Sequence, residues 1–88
     1  MPALKYVKVN RFEYPQLAHK PIAEQRQIAV EYLVRLFGAQ GEILLNRAIS
    51  QSKDKYALGN LGMAGIVSLL MKDSIVKKAY RIEFHEGE

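Results

Sequence analysis

The segment at residues 61–71 (LGMAGIVSLLM) constrains the fold more than any other part of the chain, because Ser68 is its only polar side chain. The segment is shorter than the roughly 20 apolar residues that a membrane-spanning helix needs, so we expect no membrane association. A helix that is apolar on every side is normally buried, either in its own core or against a partner. We therefore predict that this helix forms core or a dimer contact and does not read DNA bases.

The glycines of this segment indicate close packing. Gly62 and Gly65 each cost a helix roughly 1 kcal/mol relative to alanine. Together with Ala64 and Ser68, they would leave a thin surface on which another backbone can come close. That backbone could belong to the first helix of the same chain or to a second copy. The candidate dimer or partner interface consists of Gly62, Gly65, Ser68 and Leu69.

Length and composition limit the possible classes of protein. The chain has 88 residues, enough for one small domain spanning residues 1–88 and too few for a second core. It contains no cysteine, which excludes disulfides, thiolate catalysis and cysteine-based zinc sites. Lys5, Lys8 and Arg11 interrupt the N-terminal segment, so no secretory signal is visible. We expect a cytoplasmic protein.

Hydrophobic periodicity predicts an α+β fold of the order β-α-α-α-β, in which the terminal strands pair antiparallel. The predicted strands cover residues 4–12 and 75–84, and the predicted helices cover residues 21–37, 42–50 and 61–72. Pro21 suits the first position of the first helix, and Gly38 suits its end. Asn60 suits the cap of the third helix. Residues 51–59 are predicted to be irregular.

The net charge of +4 is unevenly distributed along the chain. Residues 1–20 hold four basic residues against one acid, and residues 53–81 hold six basic residues against two acids. This pattern permits a polyanionic partner, although a basic surface can also serve solubility alone. The candidate nucleic-acid-binding residues are Lys53, Lys55, Lys72, Lys77, Lys78 and Arg81.

The N-terminal strand could extend that basic surface if the two strands pair. Lys5, Lys8 and Arg11 would then lie on the same sheet as the basic residues of the last strand. The aromatic residues of this sheet could stack on bases or could be core residues. They are Tyr6, Phe12 and Tyr80.

Three helices followed by a basic strand resemble the outline of a winged helix-turn-helix. In this resemblance, residues 42–50 are the supporting helix, residues 61–72 the reading helix and residues 74–84 the wing. Between Leu61 and Met71, the reading helix lacks the Arg, Lys, Asn or Gln side chains that bond base edges. Contact with the phosphate backbone is therefore expected, rather than base readout. Gly59 and Gly62 also match the bare G-x-x-G of a KH loop.

The sequence offers little catalytic chemistry. Its two histidines, His19 and His85, lie far apart in the chain, and no motif of a known nucleophile, phosphate loop or zinc protease is present. We expect no enzyme, no cofactor and no metal. The predicted function is a small basic nucleic-acid-binding protein, a DNA-binding regulator or accessory factor that forms a homodimer. The alternative is a protein-protein interaction module that acts by self-association or by binding a larger partner, through the apolar helix or a free sheet edge.

Overall fold

A computed structural model describes residues 4–54 and 57–85 and shows an α+β fold, as predicted. Three long helices and one short helix lie between two terminal strands. The elements are β1 (Lys5–Asn10), α1 (Ile22–Phe37), α2 (Gly41–Ser52), α3 (Ala57–Lys72), α4 (Ser74–Ala79) and β2 (Tyr80–His85). Short 3-10 turns at Arg11–Glu13 and Gly38–Gln40 follow β1 and α1.

The two strands pair parallel, with Lys5 opposite Tyr80 and Asn10 opposite His85. The prediction of an antiparallel pair was therefore wrong. A parallel pair needs a crossover of at least about a dozen residues, usually helical. The four helices supply that crossover and return the chain to the starting end of β1. The sequence pattern of each strand is the same in either orientation, so only the tertiary path decides between them.

The segment predicted to begin the last strand is helical instead. Asp73 caps α4, because its Oδ1 accepts hydrogen bonds from Ile75 N at 2.8 Å and from Val76 N at 3.0 Å. The cap outweighs the preference of these two β-branched residues for a strand, and β2 begins only at Tyr80. A wing would need an antiparallel hairpin at residues 74–84, so the winged-helix outline is not supported.

Helix α1 follows the prediction closely. Pro21 stands at its N-cap, one position before the predicted place, and Gly38 ends it with φ 73° and ψ −148°. Glycine is almost the only residue that adopts this backbone region. Leu33 and Phe37 lie on the buried face of α1, where α2 crosses closely. A methyl group on Gly41 would lie 2.5 Å from the backbone nitrogen of Val34, so only glycine fits this crossing.

Helix α3 lies in the core, as its apolar sequence predicted. Met63, Ile66, Val67 and Leu70 are at most 2% exposed. The helix begins at Ala57, before the predicted cap, and is kinked at Gly62, where φ is 66° and ψ is 179°. Residues 51–52 and 57–59 are thus helical, contrary to prediction. No helix within the described residues has the length and apolarity to span a bilayer.

The predicted cap residue of α3 has a different role. Asn60 lies inside the helix, and its Nδ2 donates to Asp54 Oδ2 over 2.8 Å. The side chain therefore holds the end of the α2–α3 connection instead of beginning a helix. The G-x-x-G match is likewise not a loop, since its first three residues are helical.

Candidate nucleic-acid interface

Four of the predicted phosphate-binding residues lie on consecutive elements near the C-terminus. Lys72 is in the last turn of α3, Lys77 and Lys78 are in the last turn of α4, and Arg81 is the second residue of β2. All four are exposed. Within the described part of the chain, none of the three lysines forms an ion pair. Arg81 Nε lies 4.0 Å from Glu83 Oε2. We call these four residues the 72–81 basic surface.

The one acid within residues 72–81 is withdrawn from the surface. The side chain of Asp73 is 1% exposed, and its Oδ2 accepts hydrogen bonds from Arg47 Nε at 3.1 Å and Arg47 Nη2 at 2.8 Å. Gln51 Nε2 donates to the same oxygen. Burial acts to raise the pKa of Asp73, but hydrogen bonds from backbone amides, Arg47 and Gln51 outweigh it and lower the pKa. The carboxylate therefore stays ionised and paired inside, while the exposed charges of the segment are positive.

The sequence did not predict this buried cluster of Asp73, Arg47 and Gln51. Asp73 lies between the predicted helix 61–72 and the predicted strand 75–84, although an aspartate just before a short helical apolar pattern is a capping signal. The contact with Arg47 joins residues far apart in the chain, from α2 to the start of α4. No local sequence pattern predicts such a contact. The cluster links the two helices and also holds the basic surface in place.

A groove adjoins the basic surface. Lys77 and Arg81 border it, and its volume is about 240 Å³. The floor is apolar and is formed by Leu4, Met71, Val76, Tyr80 and Ile82. The groove is not visible in the sequence, because Lys77 and Arg81 lie on different elements, α4 and β2. A positive rim around an apolar floor can hold a phosphate next to a sugar or base face.

The remaining predicted phosphate-binding residues are placed differently. Lys53 is exposed and ends α2 in a left-handed conformation with φ 59°, and it does not line the groove. Lys55 lies outside the described residues. The candidate site built from described residues is therefore the 72–81 basic surface, and phosphate contacts by Lys53 and Lys55 stay a prediction.

Parallel pairing places the N-terminal basic residues on the same sheet as Arg81, as expected if the strands paired. Lys8 lies opposite Glu83 on the neighbouring strand. The guanidinium carbon of Arg11 lies 4.2 Å from the centre of the Phe84 ring, so this cation is engaged with an aromatic face. Lys5 lies opposite Tyr80, at the end of the sheet nearest the basic surface.

The three aromatic residues proposed for base stacking separate into two groups. Tyr6 is 62% exposed and Phe12 is 78% exposed, so both rings are accessible. Tyr80 instead packs edge to face on Phe37, with ring centres 5.0 Å apart. Tyr80 is therefore a core residue, whereas Tyr6 and Phe12 remain candidates for stacking on bases.

At Gly62 and Gly65, the glycines of the small-residue stripe of α3, the nearest atoms do not belong to α1. A methyl group on Gly65 would lie 2.7 Å from Leu61 Cβ in the same helix, and one on Gly62 would meet nothing within 4 Å. Ser68 is exposed and Leu69 is half-buried. Within α3, the glycine closest to α1 is Gly59, where a methyl group would lie 3.2 Å from Gln25 Nε2. Association of Gly62, Gly65, Ser68 and Leu69 with a second copy stays a prediction.

The histidines are not part of the basic surface. His85 is the last residue of β2 and borders a shallow groove with Lys8, Glu83 and Phe84. His19 lies in the turn before α1 with φ 68°. Within the described ranges, no group of three or more His, Asp or Glu residues could hold a metal ion.

Comparison of the chain with protein-family models, curated proteins and solved structures gives no match. What this surface can do therefore follows from its own chemistry. Ammonium and guanidinium groups donate charge-assisted hydrogen bonds to phosphate oxygens. An array of such groups with the carboxylate turned inward favours a ligand that carries several phosphates.

Proposed function

We propose that this protein binds nucleic acid, with DNA as the first candidate, through contacts between the 72–81 basic surface and the phosphate backbone. The supporting observation is the separation of charge within one short segment. Lys72, Lys77, Lys78 and Arg81 are exposed, whereas Asp73 is buried and paired with Arg47. The exposed charge of this segment is therefore entirely positive, which suits contact with phosphate groups.

The proposed binding mode is recognition of backbone and shape. Base readout needs Arg, Lys, Asn or Gln side chains on an element that enters a groove of the duplex. Between Gly62 and Lys72, the exposed residues of α3 are Ala64 and Ser68 instead. Phosphate contacts fix position and orientation without reading sequence. We therefore expect similar affinity for unrelated duplexes, as suits an accessory factor better than a sequence-specific regulator.

Fluorescence anisotropy with a labelled random duplex, repeated with single-stranded RNA, tests the proposal. The test variant is Lys77→Glu/Lys78→Glu, and the matched control is Lys20→Glu/Arg35→Glu on α1 and the segment before it. Each double variant reverses two cations, so each lowers the net charge from +4 to 0. Lys20 lies 3.9 Å from Glu24, and Arg35 lies 3.8 Å from Glu13 and over the ring of Tyr32.

The two variants separate a local site from the effect of overall charge. We expect the test variant to weaken binding by roughly tenfold or more at low salt, because reversed charges repel phosphate. The control should lose much less. Equal losses would show that net charge alone attracts nucleic acid, and absence of binding by the natural protein at low salt would end the proposal.

A second candidate function is a protein-protein interaction module. It is favoured by the sheet, which contains two strands only within the described residues. Each strand of such a sheet has one edge without a neighbouring strand. An edge of this kind can accept a strand from another chain.

A further inference from the structure

We propose that β2 pairs antiparallel with β2 of a second copy of this chain, joining the two sheets into one of four strands. Among the described residues, β2 pairs with β1 only, and the one further backbone hydrogen bond given for β2 is at its first residue, where Tyr80 N donates to Val76 O at the end of α4. Its second edge therefore offers unpaired N–H and C=O groups. A sheet of two strands is marginal by itself, and four strands would be more stable.

The sequence of β2 is complementary to itself in one register. Side chains directly opposite each other in an antiparallel pair lie on the same face of the sheet. Centring the pair on Ile82 places Arg81 opposite the partner's Glu83, and Glu83 opposite the partner's Arg81. Both side chains are exposed, at 63% and 47%, and lie on the outer face of the sheet. Two opposite-charge pairs would therefore form by symmetry.

Neighbouring registers lack this complementarity. A pair centred on Arg81 would set two arginines directly opposite each other, and one centred on Glu83 would set two glutamates opposite each other. Like charges in such positions are destabilising. The alternation of charge along β2 therefore selects the Ile82 register.

The inner face supports the same register. Ile82 would lie opposite the partner's Ile82, and Tyr80 opposite the partner's Phe84. These three residues are partly buried and already pack on the core. Tyr80 and Ile82 also line the apolar groove, so part of their surface is open to an incoming side chain. Aromatic and β-branched cross-strand pairs are favourable.

The other free edge of the sheet is less suited to a second copy. Strand β1 (KYVKVN) carries Lys5 and Lys8 and no acid, so it offers no opposite charge to an identical strand. Lysine on an edge strand discourages pairing. The second copy therefore belongs on β2. Two basic surfaces would then be related by a two-fold axis, but dimerisation itself does not depend on nucleic-acid binding.

Sedimentation equilibrium of the full chain without nucleic acid tests the proposal. We expect the natural protein to have the mass of two chains at high micromolar concentration. Arg81→Glu alone, or Glu83→Arg alone, places like charges opposite each other twice and should weaken the dimer roughly tenfold or more. The double variant Arg81→Glu/Glu83→Arg restores both opposite-charge pairs, so it should regain the affinity of the natural protein. Lys20→Glu, remote from the sheet, serves as the control.

Three results would each overturn the inference: a single-chain mass at every concentration, single variants that dimerise as well as the natural protein, or a double variant that does not recover. Hydrogen exchange provides a second measurement on the natural chain. The amides of β2 that point away from β1 should become protected as concentration rises, whereas those of α3 should not change. Glu83→Arg leaves all four residues of the 72–81 basic surface in place, so this variant should lose the dimer and still bind nucleic acid, and the two proposals fail separately.

Discussion

The charge at the start of α4 is buried and paired, whereas the charges at its end are exposed and make no ion pair among the described residues. Asp73 is 1% exposed and accepts hydrogen bonds from Arg47, Gln51 and two backbone amides. Lys77 and Lys78 lie one turn further along the same helix, exposed and without an ion pair among the described residues. A buried charge must be paired to be tolerated, whereas an exposed charge need not be.

The difference indicates which charges build the fold and which are available to a ligand. Asp73 joins α2 to α4, so replacing it should damage the structure. The lysines contribute little to packing, so replacing them should leave the structure intact and change binding alone. Measurements of stability and of binding can therefore separate the two groups of charges.

The largest effect is expected for Asp73→Ala. The substitution removes the cap of α4 and leaves Arg47 without its partner, which should lower the free energy of unfolding by about 3 kcal/mol. Urea unfolding followed by circular dichroism measures the loss. Glu24→Ala, in an exposed pair with Lys20 at 3.9 Å, is the control and should change stability by less than about 0.5 kcal/mol. Equal effects of the two variants would refute a structural role for Asp73.

A smaller effect on stability is expected when the pH is lowered. The folded chain has a lowered pKa at Asp73, so the unfolded chain takes up a proton at higher pH than the folded chain does. The contribution of this carboxylate is therefore fully present above the usual pKa of 3.8 and is lost as pH falls through the lower folded value. The stability difference between the natural protein and Asp73→Ala should shrink below about pH 4. A difference that stays constant from pH 7 to pH 3 would contradict this account.

The smallest effect on stability is expected for Lys77→Ala/Lys78→Ala. Both side chains are exposed, so the free energy of unfolding should change by less than about 0.5 kcal/mol per site. Thermal unfolding measures this directly. A loss of several kcal/mol would place these lysines with the structural charges, and the contrast with Asp73 would disappear.

Local signals in the sequence were sufficient to predict α1 and the burial of α3. The helical spacing of apolar residues, Pro21 and Gly38 define α1, and a helix with Ser68 as its only polar side chain between residues 61 and 71 has to be buried in a chain of this size. The kink at Gly62 was not predictable from composition, because glycine allows both a helix and a break. Strand direction was likewise undetermined, since alternation of side chains is the same in both orientations.

The sequence indicated which basic residues form the candidate site, but not how they are arranged in three dimensions. The basic residues are visible in the sequence, and four of them prove to be exposed on neighbouring elements. Ile75 and Val76 favoured a strand, and this local preference concealed α4. The pairing of Asp73 with Arg47 depends on how α2 packs against α4, so the separation of buried from exposed charge appears only in three dimensions.

The salt dependence of binding tests the central claim most directly, because phosphate contacts release a known number of counterions. Four contacts by Lys72, Lys77, Lys78 and Arg81 predict a slope of log affinity against log salt of about −3.6, or a loss of about 150-fold between 50 and 200 mM salt. Lys77→Ala/Lys78→Ala should reduce the slope to about −1.8 and the loss to roughly tenfold. A slope near zero, or a slope that this double variant leaves unchanged, would contradict the assignment of the 72–81 basic surface.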